Sequence, residues 1–205
     1  MGAFCRLGLV KNRYQEKLAA LLNLPFFTLE DAENQGVPRY VITYWTQKGV
    51  LERLYPGVYR STNYETKVEF RWENLVLIAA SIPEGIICLI SALCYYNLTD
   101  QIMREAWIAI PHKKRVPKRS NAHIIRMRNT ELGKENITIG EYTVRIFNRE
   151  RTIVDSFRYL SKEIAIKALK QYFANADVKP NPKLLAEYAK VLRVNINPYI
   201  LSYTT

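Results

Sequence analysis

The stretch Thr28–Arg60, "TLEDAENQGVPRYVITYWTQKGVLERLYPGVYR", restricts the fold more than any other part of the chain. Backbone breakers recur in it at short intervals: Gly36, Pro38, Gly49 and Pro56–Gly57. Thr28 has the hydroxyl of a helix N-cap, and Asp31, three residues on, is placed to return the hydrogen bond. Gly36 ends that short helix. Pro38 suits the first turn of the next one, where its missing N–H costs nothing. That second helix runs to about Lys48, and Gly49 closes it. "VLERLY" and "VYR" then flank a Pro-Gly turn and read as a short hairpin. Upstream, "NRYQEKLAALLNLP" sets Leu18, Leu21 and Leu22 at helical spacing and stops before Pro25. Helix, helix, short Gly-containing turn, helix and two-stranded ribbon is the order of a winged helix-turn-helix.

The helix after Pro38 is two-sided. At about 100° per residue, Val41, Ile42 and Trp45 gather on one side. Arg39, Tyr40, Thr43 and Gln47 gather on the other, with Tyr44 beside them. Arg can bond guanine O6 and N7 in bidentate fashion, and Gln can do the same to adenine. Thr and Tyr hydroxyls suit phosphates or bases. In helix-turn-helix proteins the N-terminal residues of this helix enter the major groove, which favours Arg39, Tyr40 and Thr43. The hairpin adds Arg53, Tyr55 and Arg60, suited to flanking phosphates or a minor groove. Tyr59 instead reads as cross-strand packing against the helices. A polar outer face alone is common to surface helices; the hairpin beside it is what favours DNA.

The chain continues through a polar connector from Asn63 to about Arg71 into a second region of mixed elements. "WENLVLIAAS" reads as a helix, "GIICLI" as a strand and "SALCYYNL" as a helix. "EAWIAIP", "AHIIRMR" and "YTVRIF" read as strands, and "ERTIVDSFRYL", "EIAIKALKQYFANA" and "PKLLAEYAKVL" as helices. Strands and helices mixed without strict alternation predict an α+β fold. The expected organisation is a winged helix-turn-helix over residues 1–66, then a mixed α/β domain with a helical tail over residues 67–205.

The formal charge of +11 points to an anionic partner, nucleic acid before a membrane surface. Its distribution matters more than its total. Residues 1–66 carry eight Lys/Arg against six Asp/Glu, residues 67–150 thirteen against nine, and residues 151–205 nine against four. The hairpin region therefore relies on placed side chains rather than bulk charge. "HKKRVPKRSNAHIIRMR" (His112–Arg128) has Lys113, Lys114, Arg115, Lys118, Arg119, Arg126 and Arg128 with no acid among them. It reads either as a solubilising loop or as a patch for nucleic acid or an acidic protein surface.

No catalytic constellation stands out, and no enzyme activity, metal or cofactor is expected. Glu65-Thr66-Lys67 matches a nuclease E-x-K but sits in the connector with no acidic strand before it. His112 and His123, the chain's two histidines, have no Cys or acidic cluster nearby to complete a metal site. Neither a phosphate-cradling loop nor a Ser–His arrangement is present. Cys5, Cys88 and Cys94 form no C-x-x-C pair, which fits a reducing, cytoplasmic setting. The apolar run in "MGAFCRLGLVKNRYQ" is too short for a signal peptide, and "PEG" interrupts the stretch Leu75–Leu98, so no membrane span is expected.

The segment "FFTLEDAENQGVPRYVITYWTQKGVLERLYPGVYR" closely resembles the N-terminal winged helix of the AbiEi-type antitoxins of type IV toxin–antitoxin systems. The matching hairpin residues are Gly49, Leu51, Arg53, Gly57, Val58, Tyr59 and Arg60. The likeness continues more sparsely. "ISALCYYNLTD" (Ile90–Asp100) is similar to a Ser-Ala-Leu segment of that family, and "WIAIPHKKR" to the strand after it. "NRERTIVDSFRYL" is similar to its R-T-x-x-D helix, with Arg151, Thr152 and Asp155. The sequence departs from the family after Leu98, where "TDQIMRE" replaces a short loop. By itself the Arg151–Asp155 spacing reads as an i,i+4 pair on a solvated helix face. The resemblance adds a buried or partner-facing role.

The resemblance implies an antitoxin and transcriptional autorepressor concerned with phage defence. Its winged helix would bind inverted-repeat promoter DNA, as a monomer in solution or a dimer on DNA. Its C-terminal domain would counter a nucleotidyltransferase-fold toxin. The alternative is a winged-helix regulator or adaptor without a toxin partner.

Overall fold

The computed structural model describes residues 14–174 and 179–204. The chain divides at Lys67/Val68 into two compact units. Cys5 and the N-terminal apolar run lie outside the described residues, as do Asn12 and Arg13 of the first expected helix and Asn175 and Ala176 of a later one.

The N-terminal unit consists of α1 (Gln15–Leu22), β1 (Phe27–Thr28), α2 (Leu29–Asn34), α3 (Arg39–Gln47), β2 (Leu51–Tyr55) and β3 (Val58–Ser61). Thr28 caps α2 with the reciprocal pair complete. The Asp31 amide donates to Thr28 Oγ1 at 3.1 Å, and the Thr28 amide donates to Asp31 Oδ2 at 2.8 Å. Gly36, at φ +71°, turns the chain toward α3. Pro38 is the N-cap of α3 rather than its first helical residue. Its ring fixes φ at −69° while ψ stays extended at 153°, and its carbonyl accepts from the Val41 amide.

Val41, Ile42 and Trp45 all face inward, onto Leu18, Leu21, Phe27, Val37 and Leu51. Each such burial contributes about 1.5–3 kcal/mol. That packing is what maintains α1, α2 and α3, which have 8, 6 and 9 residues and are too short to persist alone. β1 is an addition to the expected hairpin. The sheet order is β1-β3-β2, fully antiparallel, with Phe27 opposite Tyr59 and Thr28 opposite Val58. The Leu29 amide also donates to the Gly57 carbonyl at 3.1 Å, tying the hairpin turn to the start of α2.

The C-terminal unit begins with α4 (Phe70–Ala80), β4 (Ile86–Ile87), α5 (Leu89–Tyr95), β5 (Ala106–Pro111) and β6 (Ala122–Met127). It continues with β7 (Lys134–Ile139), β8 (Tyr142–Phe147), α6 (Arg149–Tyr159), α7 (Lys162–Ala174), α8 (Pro182–Leu192) and α9 (Asn197–Thr204). Its five-stranded sheet has the order β6-β5-β4-β8-β7. The β5–β6 and β4–β8 pairs are parallel and the other two antiparallel. Ile86, Ala109, Met127 and Phe147 cluster with Leu89 at the start of α5. The tail helices share a second core of Ile153, Leu169, Tyr172, Leu185 and Ile196, which also holds Leu93 and Leu98. The chain is thus a mixed α and β protein: a helix-turn-helix-like region, then a sheet, then a helical tail.

Three elements differ from the expectation. The strand expected over "GIICLI" is confined to Ile86–Ile87, because Leu89 turns to φ +45° and opens α5 two residues early. β7 is a sheet edge whose residues are half-buried or exposed, so its apolar pattern is weak. α9 is the Pro-containing "NPYILSYT", whose apolar residues lack a clear helical stripe.

Candidate nucleic-acid interface

α3 presents Arg39, Tyr40, Thr43 and Gln47 on its exposed face, while Tyr44 is half-buried at the margin. Tyr40 is 66% exposed although it is a large apolar ring. The Thr43 hydroxyl donates back to the Arg39 carbonyl at 3.1 Å, which leaves its oxygen lone pairs outward. The first turn of α3 contains no acidic residue, and no side chain caps it. The positive end of the helix dipole is therefore not offset, a condition that favours a phosphate. Lys48, not among the expected contact residues, is exposed and places Nζ 5.7 Å from the Tyr44 ring centroid. The signal was available: Lys48 stands four residues after Tyr44, on the same helix face.

The hairpin residues divide three ways. Arg53 is exposed. Arg60 is half-buried and directly opposite Glu52, and its Nε donates to Glu52 Oε1 at 2.8 Å across the strands. Tyr55, expected on the partner face, is only 8% exposed. A bulge between Arg53 and Tyr55 advances β2 by two residues against one of β3 and turns the Tyr55 side chain inward. Tyr59 is buried as expected and stacks on Phe27 with ring centroids 6.1 Å apart.

The basic stretch is not one patch. Residues 112–121 connect two parallel strands, β5 and β6, and so must return along the strand length. Pro111 pairs with Met127, so Lys113, Lys114 and Arg115 leave the sheet at the end where Arg126 and Arg128 lie. Lys113, Arg115, Lys118, Arg126 and Arg128 are exposed. Lys114 Nζ pairs with Glu84 Oε2 at 2.7 Å. That hydrogen bond, with the nearby charges of Arg145 and Lys134, holds the Glu84 carboxyl below its ordinary range. Arg119 leaves the patch altogether. Its Nη2 donates to the Ser81 carbonyl at 2.9 Å and its Nε to Ser81 Oγ at 3.2 Å, capping the C-terminus of α4.

The Arg151–Asp155 pair, which by spacing alone reads as solvated, is fully buried. Arg151 also donates through Nη1 to the Asn129 and Leu132 carbonyls at 3.0 and 3.2 Å. Arg158 supplies Asp155 with a second partner at 2.8 Å. These contacts tie α6 to the turn before β7 and leave no face of the pair for a partner. Nearby, burial and the Glu150 carboxylate push the Tyr172 hydroxyl above its ordinary range, and it donates to Glu150 at 2.6 Å. Among the described residues no group of three or more His, Cys, Asp or Glu is placed to hold a metal, and no helix is long and apolar enough to cross a membrane.

Residues 16–62 match the family model described as "Transcriptional regulator, AbiEi antitoxin". No curated protein matches the chain. Among solved structures, the fold is similar to that of the RV2827C protein from Mycobacterium tuberculosis, at 14% identity and a TM-score of 0.60 over 87% of this chain and 72% of that one.

Proposed function

Taking residues 16–62 as an AbiEi-type regulator segment, we propose that the protein is a cytoplasmic antitoxin and transcriptional autorepressor of a type IV toxin–antitoxin system. α3 enters the major groove of inverted-repeat promoter DNA, with Arg39, Tyr40, Thr43 and Gln47 toward base edges and phosphates. The β2–β3 hairpin acts as the wing and brings Arg53 to the flanking backbone, while Lys48 adds a second phosphate contact. The C-terminal unit counters a nucleotidyltransferase-fold toxin.

The observation that carries this reading is the outer face of α3. It is polar and exposed, sits on a helix locked by Val41, Ile42 and Trp45, and has an unopposed dipole at its N-terminus. Arg39→Ala is expected to weaken binding to the promoter repeat by about 1–3 kcal/mol, and binding to random DNA far less. Equal losses on both DNAs in a fluorescence-anisotropy titration would remove base reading from Arg39.

A regulator or adaptor without a toxin is the second reading, favoured by the family match ending at residue 62. Co-expression of the full-length Arg39→Ala chain with a neighbouring nucleotidyltransferase-like protein separates the two. Growth rescue without promoter binding supports the antitoxin, and absence of rescue supports the adaptor.

A further inference from the structure

Among the described residues five arginines are withdrawn from full exposure: Arg60, Arg119, Arg145, Arg149 and Arg151. Four of them have a partner for the guanidinium. Arg60 donates to Glu52, Arg119 to the Ser81 carbonyl, Arg149 to the Lys179 carbonyl and Arg151 to Asp155. Arg145, half-buried on β8, receives neither a hydrogen bond partner nor an ion pair from any described residue. A charged group partly out of water ordinarily has one, because the loss of hydration is costly.

The sheet explains the surroundings of Arg145. β4 has two residues and runs between two strands of six, β5 and β8. Its first residue, Ile86, pairs with Ala109 on one side and Arg145 on the other. Before that row β8 passes through Tyr142, Thr143 and Val144 with no β4 residue beside it, and the turn leading to Ile86 leaves a notch of about 370 Å³. Thr143 and Arg145 are two apart on β8 and share a sheet face, and Asn136 is opposite Arg145 across the β7–β8 ladder. All three line the notch. The Asn136 amide and the Thr143 hydroxyl, like Arg145, have no side-chain hydrogen bond to a described residue. Ala79, Ala80, Ile82 and Val144 make the remaining lining largely apolar.

Glu84 also lines the notch, at φ +59°, a left-handed conformation that glutamate takes only where its surroundings impose it. Its carboxylate is already answered by Lys114 at 2.7 Å, and Lys134, the other lysine near it, is paired with Glu131. Arg145 therefore remains as a single uncompensated positive charge. A monoanion neutralises it, whereas a dianion would overshoot by one charge beside Glu84.

We propose that the notch binds a small carboxylate, gripped by the Arg145 guanidinium and flanked by the Asn136 amide and the Thr143 hydroxyl. A planar carboxylate matches the guanidinium fork through two parallel hydrogen bonds, and a short apolar remainder lies along Ala79, Ala80 and Ile82. The volume is near the lower end of the roughly 300–1,000 Å³ of small-molecule sites, which fits a small organic acid. The site belongs wholly to the C-terminal unit, and so stands or falls independently of DNA binding.

The test titrates the nitrogen-15-labelled full-length protein with sodium butyrate, sodium sulfate and sodium chloride at matched ionic strength and neutral pH. The Arg145 Nε–Hε and Asn136 side-chain amide resonances are followed by NMR. Butyrate should shift both saturably and raise the thermal midpoint of the wild-type chain. Arg145→Gln should weaken butyrate binding by roughly tenfold or more. In chloride its midpoint should not fall, because no bond within the chain is lost. Butyrate shifts no larger than those of chloride would overturn the proposal, and saturation by sulfate in preference to butyrate would overturn the carboxylate assignment. Undiminished binding by Arg145→Gln would move the carboxylate to other cations and overturn it equally. So would a lowered midpoint of that variant in chloride, since Arg145 would then serve the fold.

Discussion

Arg151 and Asp155 meet at 2.7 Å within α6, and neither side chain has any exposure to solvent. A buried ion pair adds little over an apolar pair of the same shape, but breaking one leaves a charge with no water to receive it. Here the guanidinium also holds the Asn129 and Leu132 carbonyls, so its loss orphans three acceptors. Arg151→Ala and Asp155→Ala should each cost about 3–5 kcal/mol in urea unfolding. The double variant should cost less than the sum of the two by at least about 1 kcal/mol. Strict additivity would show that the two residues do not act as a pair.

Gly133 lies against that same pair. It holds φ +68°, and a Cβ there would stand 2.7 Å from Arg151 Cβ and 2.9 Å from Asn148 Oδ1. Gly36 has nearly the same φ of +71°, but its added Cβ would meet only the movable Lys17 Nζ. Gly36→Ala should therefore show the backbone cost alone, about 1–2 kcal/mol. Gly133→Ala should exceed it by roughly 1–3 kcal/mol, the cost of overpacking a tight site. Equal values from paired chemical denaturation curves would mean the turn before β7 yields freely.

The local parts of the fold were legible from the sequence, and the reason is short range. The Thr28–Asp31 reciprocal cap, the turn at Gly36 and the Pro56–Gly57 hairpin each depend on residues within four positions of one another. The inward face of α3 was legible too, because a helix period is set by its own residues. What was not legible depends on pairing across the chain. Tyr55 turns inward because of a bulge that exists only in register with β3. Arg119 caps α4 through Ser81, 38 residues away, which no pattern inside the basic stretch reports. The burial of Arg151 and Asp155 likewise follows from the Asn129–Leu132 turn closing over α6.

Arg119 and its basic neighbours should consequently separate under mutation. Arg119→Ala removes two charge-assisted hydrogen bonds from the end of α4 and should destabilise the protein by about 1.5–3 kcal/mol. It should leave the salt dependence of DNA binding unchanged. Lys113→Glu/Lys114→Glu/Arg115→Glu should cost about 1 kcal/mol, chiefly because the new carboxylate at position 114 stands beside Glu84 in place of its partner. If that end of the sheet touches phosphates, the triple variant should also flatten the slope of log K against log salt. An unchanged slope would assign these three residues to solvation of the crossover loop.

β1 is only two residues long, yet it determines how the hairpin arrives at whatever it meets. Thr28 pairs with Val58, caps α2 and sits one residue before the Leu29–Gly57 bond. The turn at Pro56–Gly57 is thereby fastened to the helix-turn-helix body at its tip as well as through its strands. A free two-stranded ribbon must surrender its conformational freedom on contact, and that loss subtracts from affinity. This one has already surrendered it during folding. If the hairpin serves as the wing, its geometry is settled before contact, and substitutions at Thr28 should weaken DNA binding without removing any contact to the DNA.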